Sequence, residues 1–158
     1  MKRIVLFFSL CIFLFSYTGC VKGSKACVNQ TAQSEQAAIL AYAAANGIAA
    51  SAHPSGLYYQ VTNPGSGAIP FPTSKVYVTY TGKLTSSGTV FDSQTNSTLT
   101  GWVLNTLIPG WQIGLPLLQK GGTIKLIIPS ELAYGCRGIG TIPANAILYF
   151  EITLVDVI

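Results

Sequence analysis

The sequence predicts an α+β domain: a curved antiparallel β-sheet, a half-barrel in outline, wrapped around one short α-helix, with a second short helix on its N-terminal side. Three observations carry this. Several segments beyond residue 56 alternate apolar and polar side chains, leaving one sheet face apolar and the other mixed. One stretch among them, Trp111 to about Gln119, instead spaces Trp111, Leu115 and Leu118 as a helical stripe. Proline- and glycine-rich segments separate the strands as turns and loops.

Residues 1–19 have the layout of a secretory signal: basic Lys2 and Arg3, an apolar run from Ile4 to Phe15, then small Thr18 and Gly19 before Cys20. The apolar run is short of the ~20 residues a membrane-spanning helix needs. Residues 20–33 are small and polar and read as a flexible tether. Residues 34–56 hold a helix and a turn. The helix runs from about Ser34 to Asn46, with Ala38, Ile39, Tyr42 and Ala45 able to share a face, Thr31 or Ser34 as its cap and Asn46-Gly47 as its stop. It either packs on the domain or serves as a dimerisation arm. His53-Pro54-Ser55-Gly56 is the turn.

Residues 57–158 form the main domain. Strands are expected at 57–62, 75–84, 89–92, 102–104, 123–128 and 147–157, with a proline-containing loop at 63–74. Val76, Val78 and Tyr80 share one face of their strand; Leu148, Phe150, Ile152 and Leu154 share one face of the last. Pro116 removes a backbone donor inside the short helix and should make it irregular there.

Charge and cysteine use narrow the function. Beyond residue 19 the bases are Lys22, Lys25, Lys75, Lys83, Lys120, Lys125 and Arg137, against Glu35, Asp92, Glu131, Glu151 and Asp156, a scattered net charge of +2. Without a basic cluster, nucleic acid is not an expected partner. Cys11 leaves with the signal. Cys27 and Cys136 remain as one possible pair in an oxidising compartment or as two free thiols. One histidine, His53, and no Cys-x-x-Cys give no support to a metal site, and no cofactor is expected.

The order of segments resembles the FKBP-type peptidyl-prolyl cis–trans isomerases: Val78-Thr79-Tyr80-Thr81-Gly82, Gly88-Thr89-Val90-Phe91-Asp92-Ser93, Leu107-Ile108-Pro109-Gly110-Trp111, Gly121-Gly122, Ile128-Pro129-Ser130-Glu131-Leu132-Ala133-Tyr134-Gly135 and Ile142-Pro143-Ala144-Asn145. The resemblance covers about Leu57 to Ile158. It implies a half-barrel fold and rotation of X–Pro bonds in exported proteins, the twisted amide being bound in an aromatic pocket. Asp92, Tyr134 and Tyr80 would be catalytic. Phe91, Trp102, Leu107, Ile108, Trp111, Ile142 and Phe150 would bind substrate, with Trp111 as the floor and the Ile108 N–H as a donor. Taken singly, each aromatic could be ordinary core. The alternative reading is a proline-binding chaperone or scaffold with little turnover. No arginine follows Asp92 between Ser93 and Gly101, so Asp92 would rely on the hydroxyl of Tyr80 or Tyr134; Trp102 stands where phenylalanine is common.

Tyr17-Thr18-Gly19-Cys20 resembles the lipobox of bacterial lipoproteins, with Tyr17 where leucine is usual. That implies cleavage before Cys20, acylation of its thiol, and a protein lipid-anchored to a membrane of the bacterial cell envelope, facing the periplasm or exterior. Oligomeric state is not readable. Cys136 follows Tyr134-Gly135 at the expected rim, and a Cys27–Cys136 disulfide would dock the tether and first helix beside that loop.

Overall fold

The structure, a computed structural model, describes residues 26–158; the expected signal segment, its cleavage point and Cys20 lie outside the described residues. Seven strands form one antiparallel sheet: β1 (Ser51–Ala52), β2 (Tyr58–Asn63), β3 (Lys75–Leu84), β4 (Val90–Gln94), β5 (Trp102–Val103), β6 (Thr123–Ile128) and β7 (Leu148–Val157). Their order is β1-β2-β6-β7-β3-β4, and β5 pairs with the first residues of β3. Alternation decides what each long strand buries. In β3, Val76, Val78, Tyr80, Gly82 and Leu84 turn inward, and in β7 Leu148, Phe150, Ile152 and Leu154 do so.

Helix α2 (Pro109–Gly114) crosses this inner face. Pro109 suits its first position, where no N–H is needed. Pro116 cannot donate to a preceding turn, and there the α-helix gives way to a 3-10 turn, Leu115–Leu117. Two glycines bring the helix close to the sheet. A Cβ on Gly110 would lie 2.5 Å from Ile128, and one on Gly114 would lie 2.8 Å from Leu126.

Helix α1 (Ala32–Ala45) starts two residues earlier than expected, because Thr31 and Ser34 form a reciprocal capping box. Its buried face is also different: Ala32, Glu35, Ile39 and Ala43 turn inward, while Ala38 and Ala45 are exposed. The reason is that α1 lies on the outer face of the sheet. Ile39, Ala43 and Ile48 pack there on Tyr58, Ile127 and Tyr149, a second apolar cluster beside the main core. The sheet is thus covered on both faces at this corner: of the two readings of the first helix, it packs on the domain, and it does so on the face expected to be mixed.

The expected tether is also docked over its described part. Cys27 is disulfide-bonded to Cys136 with a Cα–Cα distance of 5.4 Å, Asn29 and Asn145 tie the segment to the far loop, and residues 32 and 33 already belong to α1. The disulfide is the Cys27–Cys136 pair offered as one possibility from the sequence, whereas low hydropathy gave no sign of the asparagine links. Among the described residues no helix is long and apolar enough to cross a membrane.

Candidate functional site

A cavity of about 360 Å³ opens between α2, the sheet and two loops. Its apolar base comes from the sheet's inward rows. Tyr80 on β3 and Phe150 on β7 are 9% and 4% exposed. Trp111, in the first turn of α2, is 4% exposed and stands edge-on to both, its ring centroid 5.1 Å from Tyr80 and 5.2 Å from Phe150. Phe91 of β4 meets Phe150 edge-on at 5.5 Å, and Trp102 of β5 closes the other side at 6.0 Å from Tyr80. Edge-to-face pairs suit the ring quadrupoles and are each worth about 0.5–1.5 kcal/mol beyond burial.

Gly82 makes this corner possible. It pairs with Phe150 across β7 and with Asp92 across β4. A Cβ there would lie 2.7 Å from the Phe150 ring and 2.8 Å from the Phe91 ring, so the bare backbone is what lets both rings lean over it.

The polar groups are few. Among the lining residues Asp92 is the one carboxylate. The Tyr80 hydroxyl donates to Asp92 Oδ2 at 2.7 Å, so of the two candidate hydroxyls it is Tyr80 that Asp92 engages. Burial pushes the Tyr80 phenol far above its ordinary value, helped by the hydrogen bond to Asp92. Burial, then the Asp92 charge, also raises the Tyr134 phenol. Both hydroxyls therefore stay protonated at neutral pH and can donate.

Leu107 and Ile108 line the cavity beside the start of α2. Among the described residues the Ile108 N–H meets no acceptor. The other end of its peptide unit is held: Gln112 Nε2 donates to Leu107 O at 2.6 Å and to Asn105 O at 3.2 Å. Facing two carbonyl oxygens, the Gln112 amide can present only its NH2 group. Gln112 and the lining residue Thr106 were not expected from sequence. Thr106 sits in a 3-10 turn with its hydroxyl bonded to Val103 O, and no periodic signal marks it.

Nine of the ten expected catalytic and substrate-binding residues thus line one cavity: Tyr80, Phe91, Asp92, Trp102, Leu107, Ile108, Trp111, Tyr134 and Phe150. Ile142 does not. It is 7% exposed and belongs to the main core. His53 lies in a separate turn, its ring nitrogen Nδ1 accepting from the Ser55 N–H at 3.1 Å. Among the described residues no three His, Cys, Asp or Glu side chains group as metal ligands. The site is an apolar cup with a carboxylate and a few donors at its rim. It suits a neutral, ring-shaped group with flanking amides.

Comparison with known proteins gives the family. The sequence profile of the FKBP-type peptidyl-prolyl cis-trans isomerases matches residues 67–155. FkpA of Aeromonas hydrophila, an FKBP-type peptidyl-prolyl cis-trans isomerase, is 47% identical over 104 residues, covering 65% of this chain and 38% of FkpA. The FKBP-type 22 kDa isomerase of Escherichia coli is 46% identical over 106 residues, 66% of this chain and 51% of that one. The chain therefore spans between about two fifths and one half of the length of these relatives. Among solved structures, FkpA from Escherichia coli superposes with a TM-score of 0.63 at 37% identity, covering 79% of this chain and 65% of that chain. A peptidyl-prolyl cis-trans isomerase from Pseudomonas syringae gives 0.66 at 28% identity, covering 82% and 98%. By profile match, sequence identity and fold, this chain belongs to the FKBP-type peptidyl-prolyl cis-trans isomerase family.

Proposed function

We propose that the chain accelerates cis–trans rotation of X–Pro peptide bonds in exported proteins. The observation that carries this is the cavity itself: six aromatic side chains, Tyr80, Phe91, Trp102, Trp111, Tyr134 and Phe150, around one carboxylate. Amide resonance sets the rotation barrier at ~18–20 kcal/mol, and uncatalysed exchange takes tens to hundreds of seconds. No bond breaks, so no nucleophile is required. The cavity need only hold the amide better when it is twisted than when it is planar.

Twisting diminishes the carbonyl dipole, so a dry aromatic cup penalises the planar amide more than the twisted one. In this reading the proline ring rests on Trp111 between Phe91, Trp102 and Phe150. The Ile108 N–H and the Tyr134 hydroxyl fix the flanking backbone. Asp92, oriented by Tyr80, lies beside the rotating amide. Each tenfold gain takes about 1.4 kcal/mol of differential binding, within reach of two hydrogen bonds and a desolvated cup.

We also place the protein in the bacterial cell envelope, anchored by acyl chains on Cys20. Support comes from Gly19-Cys20 following a signal-like apolar run. Metabolic labelling with a fatty-acid analogue should mark the wild-type chain and not Cys20→Ala.

The isomerase reading is tested with a protease-coupled proline-isomer assay. The wild-type chain is expected to accelerate exchange, and Asp92→Ala and Tyr134→Phe to slow it. A folded wild-type chain without acceleration, or variants equal to it, would show the assignment to be wrong. Suppression of client aggregation without isomerisation would favour a chaperone instead.

A further inference from the structure

Residues 27–35 lie outside the matched family region, yet they grip the loop that carries Tyr134 from both sides. On the near side stands Glu35, a charged residue only 7% exposed. Its Oε2 accepts the Ser130 N–H at 2.7 Å and its Oε1 accepts the Ser130 hydroxyl at 2.6 Å. Ser130 is fully buried and opens a 3-10 turn, Ser130–Leu132, that Ala133 ends just before Tyr134. Next to it, the Ala32 N–H donates to Glu131 Oε1 at 2.6 Å. On the far side Cys136 is bonded to Cys27, and the Cys136 N–H donates to Asn29 Oδ1 at 2.9 Å.

Holding α1 on the sheet does not call for a buried carboxylate, since Ile39 and Ala43 already supply apolar contact there. A buried charge adds little stability over an apolar side chain of similar volume, but it admits one arrangement of its donors. Here those donors are the backbone N–H and hydroxyl of the residue that starts the turn into Tyr134. The N–H is one that a 3-10 turn leaves without an internal partner, and charge-assisted bonds to it are short and directional. With Ser130 fixed on one flank and Cys136 on the other, Tyr134 has little freedom to leave the cavity rim.

We propose that Glu35 is a positioning residue for the isomerase site: through Ser130 it sets the Tyr134 hydroxyl over the cavity, so that the segment 27–35 completes the site from outside the family domain. The inference rests on the reading in which Tyr134 touches the substrate.

The test uses the full, oxidised chain and kcat/KM for exchange of an X–Pro peptide. Glu35→Ala is expected to lower kcat/KM about tenfold and Glu35→Gln, which keeps one acceptor oxygen, about threefold. Ile39→Ala loosens α1 without touching Ser130; it should lower thermal stability yet leave kcat/KM within about twofold at temperatures where the chain stays folded. In a Tyr134→Phe background Glu35→Ala should cost less than about twofold, because the two act through one hydroxyl. A folded Glu35→Ala chain with wild-type kcat/KM overturns the proposal, as does an undiminished loss in the Tyr134→Phe background. If Glu35→Ala does not fold, Glu35→Gln decides. A threefold loss with faster amide exchange at residues 130–136 supports the proposal, and wild-type behaviour in both overturns it. A wild-type chain that does not accelerate exchange removes the isomerase reading and this inference together. Acceleration that the Glu35 variants leave unaltered removes only the inference.

Discussion

The Tyr80 hydroxyl donates to Asp92 Oδ2 at 2.7 Å, joining an inward residue of β3 to a residue of its edge neighbour β4 at the mouth of the cavity. Tyr80 also lies against Trp102, Trp111 and Phe150, so a single side chain both builds the aromatic wall and orients the carboxylate. Tyr80→Phe keeps the ring and removes only the donor. It should cost about 1 kcal/mol of stability or less by denaturant unfolding, yet lower kcat/KM about tenfold.

The buried phenols set an alkaline limit. Tyr80 and Tyr134 are both raised above the ordinary value of 10.0, chiefly by burial. A phenol whose folded pKa is raised favours the fold in its protonated form. That contribution is complete below pH 10 and is lost as pH climbs from 10 through the folded value. Thermal melts should therefore show no loss from these groups between pH 7 and 9 and a decline above about pH 10, and Tyr80→Phe should blunt the decline.

Gln112 holds the peptide unit whose N–H is offered at Ile108, by donating to Leu107 O at 2.6 Å. Gln112→Glu places a carboxylate against two carbonyl oxygens, while Gln112→Met only deletes the donor. Both should fold. Steady-state kinetics should show a fall in kcat/KM of about threefold for Met and more for Glu. Equal rates for wild type and Gln112→Glu would mean that this peptide unit needs no such support.

The Cys27–Cys136 disulfide spans a sequence separation of 109 and constrains the unfolded chain accordingly. Reduction, or Cys27→Ser, should lower stability by about 2–4 kcal/mol. Non-reduced peptide mapping should find the two cysteines in one cross-linked fragment, and free thiols at both would contradict the structure.

What the sequence revealed, and what it concealed, follows from the range of the forces involved. Period-two alternation in 75–84 and 147–157 located β3 and β7 almost to the residue, because each buries one face in a continuous core. The aromatic lining was legible through ordered motifs. Glu35 was not, since a carboxylate on an alanine-rich helix looks like a solvated side chain until Ser130, 95 residues away, is seen to meet it. Gln112 was equally silent, since a bond from a side chain to the carbonyl of a preceding loop leaves no periodic trace. The face of α1 was misjudged for a related reason. The helix is rich in alanine, so partners on the sheet's outer face, not its own sequence, choose which side is buried. Ile142 is not among the residues that line the cavity, although its motif placed it at the site.

The central claim is that the aromatic cavity catalyses X–Pro rotation. Two-dimensional exchange NMR of a peptide with resolved cis and trans X–Pro signals, with a catalytic amount of the full chain, tests it without a coupling protease. Cis–trans exchange peaks are expected at mixing times where the peptide alone shows none, and Phe91→Ala should weaken them about tenfold or more. Peptide binding seen in the fluorescence of Trp102 and Trp111 without any exchange peaks would contradict the account and leave a proline-binding module in its place.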